Sequence, residues 1–195
     1  MLTLRCLTML LIVQSVASAT PHILVPRTTA AIMIDGTFSV GEWDQAAQVD
    51  IPGRAKLYFQ RSADFLYIAV RYTKSPSGMV DLYLSPEVGE VYDFHASAKL
   101  GERELKRDKF SDWNWWNNRD WTANVSRIDS FEKRTFLPTR IREYQIRLSR
   151  FSSRTWRVRF ELTAMGVNNE TQAQMVFPHG TSDRFTVGWL DLALR

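Results

Sequence analysis

Ile34-Asp35-Gly36-Thr37-Phe38-Ser39-Val40-Gly41-Glu42-Trp43-Asp44-Gln45-Ala46-Ala47, followed by Phe65-Leu66-Tyr67-Ile68-Ala69-Val70, is the stretch that decides the fold. An Asp-Gly turn behind an apolar residue leads into a Gly-Glu-Trp step, and a continuous apolar strand comes next. Outward from it, apolar residues recur at every second position: Leu57 and Phe59; Leu66, Ile68, Val70 and Tyr72; Val80, Leu82 and Leu84; Tyr92, Phe94 and Ala96; Trp156, Val158, Phe160 and Leu162. This is the strand period. In Thr155 to Leu162 the opposite face reads Thr155, Arg157, Arg159 and Glu161, so one side packs and the other meets water, as antiparallel sheets allow. Turn residues at Asp35-Gly36, Pro52-Gly53, Ser62 to Asp64, Ser75 to Gly78, Pro86 to Gly89 and Pro178 to Gly180 separate the segments. The pattern predicts an all-β, antiparallel β-sandwich of jelly-roll type. Short helical turns are expected at Gly41 to Ala47 and at Leu162 to Gly166.

The order Asp-Gly, Gly-Glu-Trp, then a strand with Leu66-Tyr67 resembles the opening of the secreted β-sandwich domains grouped around the family 9 carbohydrate-binding modules, a group related to DOMON domains. The resemblance covers 32 to 84, with a weaker echo over 156 to 194. It implies a carbohydrate-binding sandwich whose sugar sits at a tryptophan-lined site, with structural calcium as an option. In the wider superfamily it also implies haem held by axial Met, His or Lys side chains, which brings Met79, His95, Met165, Met175 and His179 into consideration.

Arg5 precedes the apolar run Leu7 to Val13, and Ala17-Ser18-Ala19 ends it. Charged start, short apolar middle and small-residue exit predict a secretory signal over 1–19, leaving 20–195 as a single domain in a secreted or periplasmic setting. The run is too short for a stable membrane span. The only cysteine, Cys6, lies inside that segment, so no disulfide or thiol chemistry is expected in the mature chain.

Charge is uneven along the chain. Residues 99–159 hold 16 Lys or Arg against 8 Asp or Glu, whereas 20–98 hold 6 against 9 and 160–195 hold 2 against 4. Behind an export signal, a positive middle suits an acidic glycan better than a nucleic acid. Solvated arginines on open strand faces are the plainer explanation.

Four of the seven tryptophans fall in Trp113-Asn114-Trp115-Trp116-Asn117-Asn118-Arg119-Asp120-Trp121. Indole faces stack on the C–H face of a sugar ring, and amides fork hydrogen bonds to neighbouring hydroxyls. The expected carbohydrate-binding residues are therefore Trp113, Trp116, Trp121, Asn114, Asn117, Asn118 and Arg119, on a long excursion from the sandwich that leads into a strand from Thr122 to Ile128. If the backbone is extended, Trp115 and Trp116 point opposite ways. Trp43 and Trp156 read as core.

The remaining signals are sparse. Asp35, Glu42, Asp44, Asp64 and Asp81 are scattered candidates for calcium, without a ligand-loop pattern. The residues show no Gly-x-Ser-x-Gly elbow, no phosphate-cradling loop and no His-x-x-x-His helix. Asn124-Val125-Ser126 and Asn169-Glu170-Thr171 match the N-glycosylation acceptor pattern. The expected function is non-catalytic carbohydrate docking without a cofactor. A haem-binding sandwich and an extracytoplasmic structural or adhesion protein are the alternatives.

Overall fold

The computed structural model describes residues 21–74, 77–115, 120–125, 127–128, 136–137, 139–165 and 171–194. The predicted signal segment, Trp116, Asn117, Asn118, Arg119 and Asn169 lie outside them.

The strands are β1 (His22–Leu24), β2 (Ala47–Ile51), β3 (Ala55–Arg61), β4 (Phe65–Tyr72), β5 (Ser77–Ser85), β6 (Val91–Ala96), β7 (Leu100–Lys106), β8 (Lys109–Phe110), β9 (Asn114–Trp115), β10 (Trp121–Ala123), β11 (Arg127–Ile128), β12 (Phe136–Leu137), β13 (Ile141–Arg147), β14 (Thr155–Met165), β15 (Thr171–Phe177) and β16 (Leu190–Ala193). A large sheet runs β1-β16-β14-β5-β6-β7-β8, with β15 continuing β16's edge of β14 and β9 lying on β7. A second sheet runs β10-β13-β4-β3-β2, and β11 pairs with β12 alone. Pairing is antiparallel except between β1 and β16. The molecule is the predicted β-sandwich.

The alternating residues meet between the sheets. Leu57, Phe59, Leu66, Ile68 and Val70 from one sheet pack on Val80, Leu82, Leu84, Phe94, Trp156, Val158 and Phe160 from the other. Burial of these side chains, at about 25 cal/mol per Å² of apolar surface, is the main favourable term holding the layers together. Trp156 is core, as predicted.

Two local expectations fail for reasons of tertiary pairing. Leu162 to Met165 is strand rather than helical turn, because Leu162, Thr163, Ala164 and Met165 continue the ladder with β5 opposite Val80, Met79, Gly78 and Ser77. The strand expected over Thr122 to Ile128 breaks at Asn124. There the side-chain amide Nδ2 donates to the Ile141 carbonyl at 2.9 Å and Oδ1 accepts the Glu143 N–H, so the side chain takes over ladder contacts beside it. The same two bonds and the buried position of Asn124 commit its amide to the fold rather than to a glycan. Where a helical turn is expected over Gly41 to Ala47, Gly41 to Gln45 forms turns and Ala47 already opens β2, and the 3-10 segment is at Leu148–Arg150.

The opening motif is an architectural clamp on the outer face of the smaller sheet. Trp43, Ala46, Tyr58, Tyr67 and Ala69 form a second apolar cluster, with Ile32, Ile34, Phe38 and Phe65 against it. Glu143 Oε2 accepts the backbone N–H groups of Asp35 and Gly36 at 3.1 and 2.7 Å, and Oε1 accepts the Trp43 indole N–H at 3.2 Å. Glu42 likewise takes the N–H groups of Met33 and Ser39. Gly36 has φ +81°, and a β-carbon there would meet Asn124 Nδ2 at 2.8 Å, which explains glycine at the turn. Trp43 is therefore core, in this cluster and not between the sheets.

Candidate functional site

On the outer face of the large sheet, the strand register lines up Trp115, Gly101, His95, Asp81 and Glu161 as successive cross-strand partners. Five strands at the usual spacing span about 19 Å from the first to the last. Part of the same face is closed by Tyr83, Val91, Leu105, Trp189 and Phe110, an apolar cluster beneath β8 and the segment before β16. Asp81, His95 and Trp115 lie beside this cover on a partly open surface.

Gly101 sets the geometry of the tryptophans. A β-carbon there would lie 2.7 Å from Trp115 Cε3 and Cζ3 and 3.1 Å from Trp113 Cε3, so both indoles lie down on the strand where a side chain is missing. The two rings stack at 5.2 Å and 24°. The Arg103 guanidinium sits 4.3 Å from the Trp113 centroid and 4.3 Å from Phe110, while Lys99 Nζ is 5.7 Å from the Trp115 centroid. Such cation-aromatic contacts hold the ladder Phe110–Arg103–Trp113–Trp115 against the sheet. Trp115 remains 45% exposed. His95 meets both indoles edge-on, at 5.5 and 5.9 Å.

Beneath the ladder lie polar groups. The Asp93 carboxyl is wholly buried and accepts Arg103 Nε at 2.7 Å, but Asp93 Oδ1 has no hydrogen-bond partner among the described residues. Burial first, then the Asp81 charge, pushes this carboxyl up to about 7, and Arg103 opposes the shift. Arg159, 4% exposed, lies 4.5 Å over the Tyr83 ring. Its Nη2 reaches Glu161 at 3.5 Å, and its Nε and Nη1 are unpartnered among the described residues. Gln174 Nε2 donates to Glu161 Oε1.

The predicted residues separate. Trp113 and Asn114 reach the outer face or edge of the large sheet through β9 and the residue before it, so this stretch pairs with β7 rather than leaving the sandwich. Trp121 points the other way. It is 4% exposed, packs on Phe94 and Tyr144, and donates its indole N–H to Glu102 at 2.8 Å, so it has no free face for a sugar. Glu102 also holds Arg150, tying the two sheets together at this side. Trp115, which the composition of the cluster does not single out, shares this face with Trp113, as a two-residue spacing on an extended backbone places it. Several arginines of the positive middle are engaged internally: Arg103 with Asp93, Arg150 with Glu102 and Arg157 with Asp191.

The candidate calcium and haem ligands also disperse. Among the described residues, no group of three or more His, Cys, Asp or Glu side chains is placed to hold a metal ion. Met79 and His95 belong to the outer face of the large sheet, whereas Met175 packs against the core between the sheets. His179 is exposed in its turn, and both ring nitrogens of His95 already have partners. Among the described residues no helix is long and apolar enough to cross a membrane.

No family model matches the chain, and no curated protein matches it. Two solved structures do. One is a family 9 carbohydrate-binding module from Caldicellulosiruptor kristjanssonii in complex with cellotriose, at 11% identity and TM-score 0.52, covering 88% of this chain and 92% of that one. The other is a candidate carbohydrate-binding protein from Bacteroides uniformis, at 9% identity and TM-score 0.52, covering 89% of this chain and 98% of that one. At such identities the likeness concerns the backbone, and it agrees with the Asp-Gly and Gly-Glu-Trp signature: the chain has a fold like that of the family 9 carbohydrate-binding modules.

Proposed function

We propose that this is an exported carbohydrate-docking protein whose ligand lies along the row from Trp115 to Glu161. The observation that carries the reading is the register itself, which puts an exposed indole at one end of a line of hydrogen-bonding side chains. Trp115 supplies the stacking face. Asp81, Glu161 and Gln174 supply acceptors and donors at the spacing of adjacent strands. Lys99, exposed beside Trp115, adds a cation suited to a carboxylated or sulfated sugar. The fold supports the class of ligand, since both solved structures it resembles are described in carbohydrate-binding terms and one holds cellotriose.

Isothermal calorimetry with cello-oligosaccharides and with uronic-acid oligosaccharides tests this. Binding of either series that disappears in Trp115→Ala supports the row; unchanged binding in that variant places the ligand elsewhere. Neutralising Lys99 should weaken only the acidic series, with a loss that shrinks as salt is raised. Exported material should begin at or near Thr20, which mass spectrometry checks.

A further inference from the structure

Asp81 on β5, His95 on β6 and Ser97 in the turn after β6 form a linear hydrogen-bonded relay. Asp81 Oδ1 lies 2.5 Å from His95 Nδ1, and His95 Nε2 lies 2.8 Å from Ser97 Oγ. When the imidazole is neutral, a donor to the Asp81 carboxylate must be Nδ1–H, and Nε2 is then the acceptor facing the serine hydroxyl. The Lys99 carbonyl competes for that hydroxyl proton only at 3.4 Å, so His95 holds the better contact. Asp81 and His95 are direct partners in the ladder, and Trp113 and Trp115 pack edge-on against the imidazole, which fixes the ring plane. Ser97 is exposed. Nucleophile, base and orienting carboxylate in this order are what acyl transfer requires, whatever fold carries them.

We infer that Ser97 is the nucleophile of an ester-hydrolysing activity, with His95 as general base and Asp81 as the positioning residue. The substrate class is an O-acyl ester on a carbohydrate hydroxyl, a choice that rests on the docking reading, because Trp115 borders His95 and a sugar stacked there brings its substituents towards Ser97. In the first step Ser97 Oγ bonds to the acyl carbon while His95 Nε2 takes its proton. The bond from that carbon to the sugar oxygen then breaks, and the oxygen leaves with the proton from His95. Water, deprotonated by the same Nε2, attacks the acyl-serine; the bond from the acyl carbon to Ser97 Oγ breaks, the proton on Nε2 passes to that oxygen, and the carboxylic acid leaves with Ser97 restored. The Lys99 N–H donates to Ser97 Oγ at 3.3 Å, which puts a backbone donor beside the attacking oxygen.

The test is covalent labelling of the whole mature chain with a fluorophosphonate, located by peptide mass spectrometry, together with rates on p-nitrophenyl acetate and on acetylated cello-oligosaccharides. Label at Ser97 is expected, with hydrolysis falling to the buffer level in Ser97→Ala and by about 100-fold or more in His95→Gln, the usual contribution of a general base. Ser39→Ala, an exposed serine on the segment covering the other sheet, should label like wild type. Absence of label from the folded wild-type chain, or hydrolysis that persists in folded Ser97→Ala, reduces the relay to a hydrogen-bonded turn and overturns the inference. The labelling site is read on the wild-type chain and needs no variant to fold. Label and p-nitrophenyl acetate turnover without turnover of the acetylated sugar keep the nucleophile and overturn the substrate class. Calorimetry with unacylated cello-oligosaccharide on the same preparation reports docking separately, so docking without label and label without docking tell the two readings apart.

Discussion

The indole of Trp43 donates to Glu143 Oε1 at 3.2 Å, joining residues 100 positions apart. The same carboxyl holds the Asp35-Gly36 turn through two backbone N–H groups. One side chain on β13 thus ties both the Asp35-Gly36 turn and Trp43 to the smaller sheet.

Trp43→Ala removes the centre of that cluster and should cost roughly 3 to 5 kcal/mol, as large-to-small changes at buried positions do. Trp43→Phe keeps ring contact with Phe38 and Tyr58 and loses mainly the indole donor, so it should cost clearly less. Urea unfolding of the two variants checks the order; equal losses would show that the hydrogen bond, and not packing, dominates.

Stability should fall as pH rises from about 5 to 8. Burial raises the Glu143 carboxyl to about 8, against its backbone and indole donors, and the Asp93 carboxyl to about 7. Between the unfolded values of 4.5 and 3.8 and these folded values, the folded chain binds more protons than the unfolded one, so each pH unit upward costs up to about 1.4 kcal/mol per group. Melting temperatures across this window should drop toward alkaline pH in wild type and flatten in Glu143→Gln and in Asp93→Asn. A wild-type optimum near pH 8 would contradict the buried-carboxyl account.

Gly101→Ala tests the tryptophan ladder directly. Its β-carbon would come within 2.7 Å of Trp115, and an indole pressed against a strand cannot yield as a flexible chain end can. The stacked pair should part, losing the near-ultraviolet circular dichroism of two coupled indoles, while far-ultraviolet strand signal persists. Unaltered near-ultraviolet spectra would mean the rings are not seated on this glycine.

Trp115→Ala and Trp121→Ala should part company. The first removes an exposed ring and should leave the melting temperature near wild type while weakening carbohydrate binding by about tenfold or more, an amount in keeping with loss of an aromatic anchor. The second opens a cavity beside Phe94 and Tyr144 and deprives Glu102 of a donor, so it should destabilise by about 3 to 5 kcal/mol. Paired calorimetry and thermal melts distinguish them, and a stable, non-binding Trp121→Ala would reverse the assignment.

Strand periodicity, turn residues and the Asp35-Gly36 to Trp43 signature were enough to predict a sandwich, because a two-residue repeat of apolar side chains has one economical solution, two sheets buried face to face. The same local signal places Phe59, Ile68, Leu82, Val158 and Trp156 in the core. It could not decide which of the clustered tryptophans turns outward. Trp113, Trp115 and Trp121 share one composition, yet Gly101 gives the first two a flat seat outside the large sheet, whereas Glu102, the next residue, draws the indole of the third inward. Nor could it bring Asp81, His95 and Ser97 into line. That line depends on the β5–β6 register, in which a shift of one residue would send Asp81 to the opposite face. Periodicity is local and survives in the sequence; register and pairing come from packing between distant segments, and they alone decide which polar groups share a surface.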